Sequence, residues 1–130
     1  MKHILATFAL SLALTAGTTP GHAEGNVTAG KDTFDANCEG CHSVEKGGPD
    51  KIGPNLFGLF GATAGRRAVS FESRHTTEMK ESGVVWSEET LDRFLESPVK
   101  FIPFTTMPFP GFPKKTDRDN VIAYLKSVTQ

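Results

Sequence analysis

The chain is poor in cysteine: two among 130 residues, at Cys38 and Cys41. A disulfide between them would close a tiny loop and constrain little of the unfolded chain, so cross-linking is not the source of stability. A basic excess is missing as well. The net charge is −1, and a nucleic-acid binder needs a strong surplus of lysine and arginine. There is no period-2 alternation of useful length, no internal repeat and no low-complexity tract, so nothing points to a sheet or a solenoid. A long hydrophobic run is lacking too. The longest, from Ile4 to Ala16, falls short of the roughly 20 residues that cross a bilayer. It follows Lys2 and His3 and leads to a polar stretch ending Gly21-His22-Ala23. A basic start, a short apolar core and small residues before a cleavage point make a secretory signal over residues 1–23; an uncleaved anchor is the competing reading. Loss of Lys2, the only charged residue in that segment, leaves a domain over 24–130 with net charge −2. A domain this short buries a limited core and commonly draws added stability from a metal or cofactor.

What is present is helical patterning broken by loops of unusual composition. Residues 27–37 read as a first helix with Asn26 or Thr28 as N-cap and Gly30 and Phe34 on one face. Residues 46–66 are rich in glycine and read as a long loop. Its apolar residues, Ile52, Leu56, Phe57, Leu59 and Phe60, need something to cover. The polar run from Phe71 to Ser82 suggests one short helix or a turn. Ser87 suits an N-cap, Glu88 and Glu89 the positive end of a helix dipole, and Leu91, Phe94 and Leu95 an apolar stripe that Pro98 stops. Residues 101–113 hold four of the eight prolines among large apolar side chains, which excludes a helix there. A last helix is expected over 117–128, capped by Thr116, with Val121, Leu125 and Val128 along one side.

The motif with chemical content is Cys38-Glu39-Gly40-Cys41-His42. C-x-x-C-H reads as covalent haem attachment. Cysteines three apart in a helical turn project from one side and can form thioethers with both vinyl groups of a haem. The adjacent His42 is then placed to bind the iron. A thioredoxin-like redox pair would need a preceding strand in a βαβ unit. A zinc site would need two further ligands, and the remaining histidines are His3, His22 and His75. For the sixth iron position the candidates are His75, Met79 and Met107. Met107 is favoured, because Pro103, Pro108 and Pro110 stiffen the loop that carries it. Met79, in a charged stretch, reads as a solvated or gap-filling side chain.

These runs together resemble a class I cytochrome c of the mitochondrial and soluble α-proteobacterial type. The resemblance extends over nearly all of 25–128. It rests on Cys38 to His42, Val44 to Gly48, Gly53-Pro54-Asn55-Leu56, Gly58 to Gly61, Trp86, Glu88 to Leu91, Phe101-Ile102-Pro103, Met107 and Ile122 to Lys126. It implies an all-α fold of helices and loops wrapped around one haem c, held through Cys38 and Cys41, with His42 and Met107 as axial ligands. It implies that Gly30 and Phe34 meet Tyr124 and Leu125, that Pro54 offers its carbonyl to His42, that Trp86 and Thr105 bond the haem propionates, and that Phe109 covers the haem edge. It implies an electron-transfer protein rather than an enzyme: a monomeric periplasmic carrier of single electrons. Its partners would be membrane-bound respiratory or photosynthetic complexes, namely a quinol-oxidising bc-type complex and a terminal oxidase or a reaction centre. The rival is a haem peroxidase or a small-ligand sensor with the sixth position open.

Several positions depart from the family pattern. Phe71 and Phe94 stand where tyrosines are common, Ala62 where an arginine often lies near the propionates, and His75 where asparagine is usual. Arg66 or Arg67 is the candidate to replace that arginine. Thr106 and Asn37 replace lysines, so the basic ring around the haem edge thins to Lys46, Lys51, Lys100, Lys114 and Lys115. Charge steering should weaken accordingly. Phe104, Pro108, Phe109, Pro110 and Phe112 form an apolar rim that either takes over the docking contact or only lines the haem pocket.

Overall fold

The computed structural model describes residues 24–130; the expected signal at 1–23 lies outside them. Five α-helices follow in order: α1 Val27–Asn37, α2 Thr77–Glu81, α3 Glu88–Glu96, α4 Pro98–Phe101 and α5 Lys115–Val128, with a 3₁₀ turn at Val69–Arg74 before α2. Among the described residues the only β pairing is an isolated bridge between Thr63 and Val85, and no helix is long and apolar enough to cross a membrane. The all-α class is the one the sequence implied.

Helix α1 starts where Asn26 accepts from the Ala29 amide at 2.9 Å, which decides between the two expected caps. It packs against α5 through a very close approach. A Cβ on Gly30 would lie 1.9 Å from the Asn120 carbonyl oxygen, so only glycine lets the two backbones meet there. One turn on, the Phe34 and Tyr124 rings sit 5.3 Å apart, and the Asn26 amide donates to Asn120 Oδ1 at 2.8 Å. Helix α3 begins with a reciprocal cap between Ser87 and Thr90 and buries Leu91, Phe94 and Leu95 against the same core as Val121 and Leu125.

Three expectations need correction. Helix α5 begins at Lys115, two residues early, with Lys114 rather than Thr116 at the cap position and no side chain capping it. The turn is fixed instead by Arg118, whose guanidinium reaches back to the Phe112 and Pro113 carbonyls at 2.8 and 3.2 Å. Pro98 does follow the end of α3, but it also opens α4 from its first position, where a missing N–H costs nothing, so Phe101 is helical. The polar run near 71–82 divides into the 3₁₀ turn and α2, with Thr76 capping the latter. Met79 in α2 is buried, the gap-filling one of its two expected settings.

Candidate functional site

Helix α1 delivers the C-x-x-C-H segment at its C-terminal end. The Cys38 amide closes on the Phe34 carbonyl at 2.7 Å, and Cys41 and His42 both donate to the Cys38 carbonyl, at 3.0 and 2.9 Å. One tight turn therefore sets both sulfurs and the imidazole on one side of the chain. They face a cleft of about 250 Å³ with a mainly apolar lining, and Pro54, Trp86, Thr105, Met107 and Phe109 border the same cleft. Every residue singled out from the sequence for cofactor contact thus reaches one place. So do His75 and Met79, the other two candidates for the sixth position.

The imidazole is the most constrained group of the site. Its Nδ1 is 2.8 Å from the Pro54 carbonyl oxygen. A carbonyl only accepts, so Nδ1 carries the proton and Nε2 keeps its lone pair for a metal. Burial lowers the His42 pKa below its ordinary value, and this outweighs the opposing Pro54 bond. The neutral, ligand-competent form therefore prevails at neutral pH. Gly53 lies across the ring: a Cβ there would come within 2.3 Å of Cε1 and 2.8 Å of both ring nitrogens. The Gly53 amide donates to the Cys41 carbonyl at 2.8 Å, tying this strap to the motif.

Behind the strap lies a polar network with a different task. Buried Asn55 donates to Ser43 Oγ at 2.7 Å and to the Glu45 carbonyl at 2.9 Å, while Ser43 donates to the Pro49 carbonyl at 2.6 Å. From outside, Arg74 donates to the Lys51 and Ile52 carbonyls, both at 2.9 Å. Each buried polar group finds a partner, so the loop carrying Gly53 and Pro54 has one arrangement.

Of the two arginines offered in place of the one missing at Ala62, Arg67 borders the cleft and donates to the Phe57 and Asn55 carbonyls. Arg66 turns outward to Glu72 at 3.3 Å. The tryptophan is fixed by an edge contact with Phe94, ring centres 5.0 Å apart. Phe109 meets Phe112 at 4.7 Å. The apolar rim divides: Phe112 is core, whereas Phe104 is 76% exposed and holds φ at 61°.

Both cysteine sulfurs are partly buried. Burial, and secondarily Cys41, pushes the Cys38 thiol up to about 11. An apolar cleft favours uncharged sulfur, as in a thioether, over the thiolates of a metal site. Among the described residues no cluster of His, Cys, Asp and Glu is arranged to hold a bare metal ion. An apolar slot with two sulfurs, a neutral imidazole on a short strap and a thioether residue on its border fits a flat, largely apolar iron macrocycle.

The structure adds one residue that the sequence reading passed over. Arg118, with its side chain 7% exposed, bonds Asp92 Oδ1 at 2.8 Å as well as the two carbonyls already described. It pins α5 to α3 and to the end of the loop bearing Met107. A signal existed: Arg118 stands three and seven residues before Val121 and Leu125, on the apolar stripe.

The family model described as Cytochrome c matches residues 27–129. The chain is similar to cytochrome c of Gibberella zeae, 43% identical over 109 residues that cover 83% of this chain and 99% of the relative. It is similar to cytochrome c of Ginkgo biloba, 42% identical over 105 residues, 81% of this chain and 90% of the relative. A cytochrome c homolog of Bradyrhizobium diazoefficiens is 42% identical over 93 residues, 72% of this chain and half of the relative.

Proposed function

Because the chain belongs to the cytochrome c family, carries haem c through Cys38 and Cys41 and serves as an electron carrier, we propose that it holds its iron between His42 and Met107 and ferries single electrons in the periplasm. The observation that carries the reading is the His42 Nδ1 contact with the Pro54 carbonyl at 2.8 Å. It leaves the Nε2 lone pair available to a metal, in a cleft that Met107 also borders.

Haem c supplies an iron that takes up and gives back one electron. The protein's residues do the rest. Gly53, Pro54 and the Asn55 network fix the imidazole, so the ligand need not reorganise between the two oxidation states. The prolines at 103, 108 and 110 restrain the loop of Met107, and Arg118 anchors its far end. Phe34, Leu59, Leu91, Leu95 and Val121 keep water from the cleft. Trp86 and Thr105 border it with groups able to donate to propionates.

Export is supported by the basic start, short apolar core and small residues of the first 23 positions. The partners we propose are membrane-bound redox complexes, a quinol-oxidising complex on one side and an oxidase or reaction centre on the other. Lys115 is engaged by Asp119 at 2.5 Å and Asp92 at 3.8 Å, and Lys51 donates to the Glu39 carbonyl at 2.6 Å. The thin lysine ring is thus partly neutralised or held, and docking leans on the apolar face that exposes Phe104.

The test is Met107→Ala in the exported holoprotein, read by absorption. The expected result is that haem remains attached, the ferric near-infrared sulfur–iron band disappears, and the iron turns high-spin and binds cyanide rapidly. A wild type that is already high-spin and takes cyanide at once supports an open, peroxidase-like or sensing site instead. Mass spectrometry of the same sample reports the haem adduct and whether residues 1–23 are gone.

A further inference from the structure

One titratable residue on the cleft, His75, is neither a proposed iron ligand nor a thioether cysteine. His75 follows the 3₁₀ turn, half-buried, its amide donating to the Glu72 carbonyl at 3.2 Å and its ring 5.0 Å from that of Phe71 in an edge contact. It borders the same cleft as His42 and Met107. The other titratable groups on that lining are Cys38, Cys41, His42 and Arg67. The cysteines are consumed by the thioethers, His42 is committed to the metal, and an arginine stays charged at any ordinary pH. His75 is therefore the one lining side chain among the described residues able to change its charge near neutrality.

We propose that His75 couples electron transfer to a proton: reduction of the iron raises the affinity of this imidazole for one proton, so the reduction potential depends on pH. The proposal rests on the carrier reading above. The coupling is electrostatic. The ferric centre carries one more positive charge than the ferrous, and an imidazolium across a partly buried cleft repels that charge through a medium that screens far less than bulk water. The donor supplies the electron, solvent supplies the proton, and each is returned when the iron is reoxidised.

The surroundings set the window. The charged groups facing His75 are Lys80 and Arg67, which disfavour its protonation, and Asp50 and Glu72, which favour it; burial is the largest influence. Together they hold the imidazole below its ordinary value of 6.5. Above that region His75 is neutral in both oxidation states and the potential is flat. Acidification through the ferrous-state titration adds the proton and the potential climbs, until the ferric state is protonated too and the curve levels again.

The experiment is a spectroelectrochemical titration of the holoprotein from about pH 5 to 8, on the wild type and on His75→Asn. Proton affinities that differ tenfold between the oxidation states move the wild-type midpoint by about 59 mV across the window for this one-electron couple. In the variant the slope vanishes. A flat wild-type profile overturns the proposal. So does a slope that survives in His75→Asn, which assigns the proton to the haem carboxylates. NMR titration of the His75 ring in ferric and ferrous wild-type protein gives the same answer without a variant, and equal values in the two states overturn it. A wild type with no reversible one-electron wave removes the carrier reading and this proposal with it.

Discussion

Replacing Gly53 by alanine asks for one methyl group in the place the structure leaves least room. The new Cβ would lie 2.3 Å from Cε1 of His42, whereas ordinary contact begins at 3.4 Å, so ring or strap must shift by about 1 Å. The ring cannot retreat without stretching the 2.8 Å contact to Pro54. The strap cannot without stretching the 2.8 Å bond from its amide to Cys41. Overpacking costs roughly 1–3 kcal/mol and a weakened hydrogen bond about 0.5–1.5 kcal/mol, so the loss is ~2–4 kcal/mol. For a domain near 100 residues that lowers Tm by roughly 10–25 °C. The potential should move too. A weaker Nδ1–H bond makes the imidazole a poorer donor to ferric iron, so the midpoint rises. Thermal unfolding of the holoprotein and a redox titration measure both. Gly40→Ala is the control, since nothing lies within 4 Å of a Cβ there. If Gly53→Ala melts within about 2 °C of wild type at an unchanged midpoint, the strap does not position the imidazole.

Two further substitutions probe the Met107 loop. Arg118→Met removes a buried guanidinium, strands the Phe112 and Pro113 carbonyls and leaves Asp92 only its 3.8 Å contact with Lys115. The expected cost is about 2–4 kcal/mol, somewhat below the roughly 3–5 kcal/mol of a fully buried broken pair because Asp92 keeps some access to water; a denaturant midpoint within error of wild type would remove Arg118 from the frame. Phe104→Gly relieves a left-handed backbone worth about 1–2 kcal/mol in strain, partly offset by glycine's greater freedom when unfolded. The variant should therefore unfold at a denaturant concentration equal to or above wild type, while electron exchange with a partner complex slows; a lower midpoint contradicts the strain.

Much of the fold was legible because its signals are local. Asn26, Ser87 and the stripe of Leu91, Phe94 and Leu95 announce their helices within a few residues, and the C-x-x-C-H spacing is a chemical statement in five letters. What escaped depends on distant partners. Met79 sits in a polar run and reads as either solvated or gap-filling, and the cleft it borders, which no neighbour in sequence reveals, decides for the second. Thr116 is a better intrinsic cap than Lys114, but Arg118 fixes the turn from within the core and overrides that preference. Choosing between Arg66 and Arg67 required knowing which way the chain faces after the Gly65 turn, where φ is 69°. The eight cofactor-contact candidates converge on one cleft although Cys38 and Phe109 lie far apart in the chain, because the long loops have a common surface to cover.

Both sulfurs sit at the C-terminal end of α1 and face a cleft that Met79 of α2, Leu91 and Leu95 of α3 and Val121 and Leu125 of α5 also line. A ring tethered there would belong to the hydrophobic interior rather than visit it. A chain that never receives one forfeits the burial of those side chains, so cofactor loading and thermodynamic stability become one property in this protein.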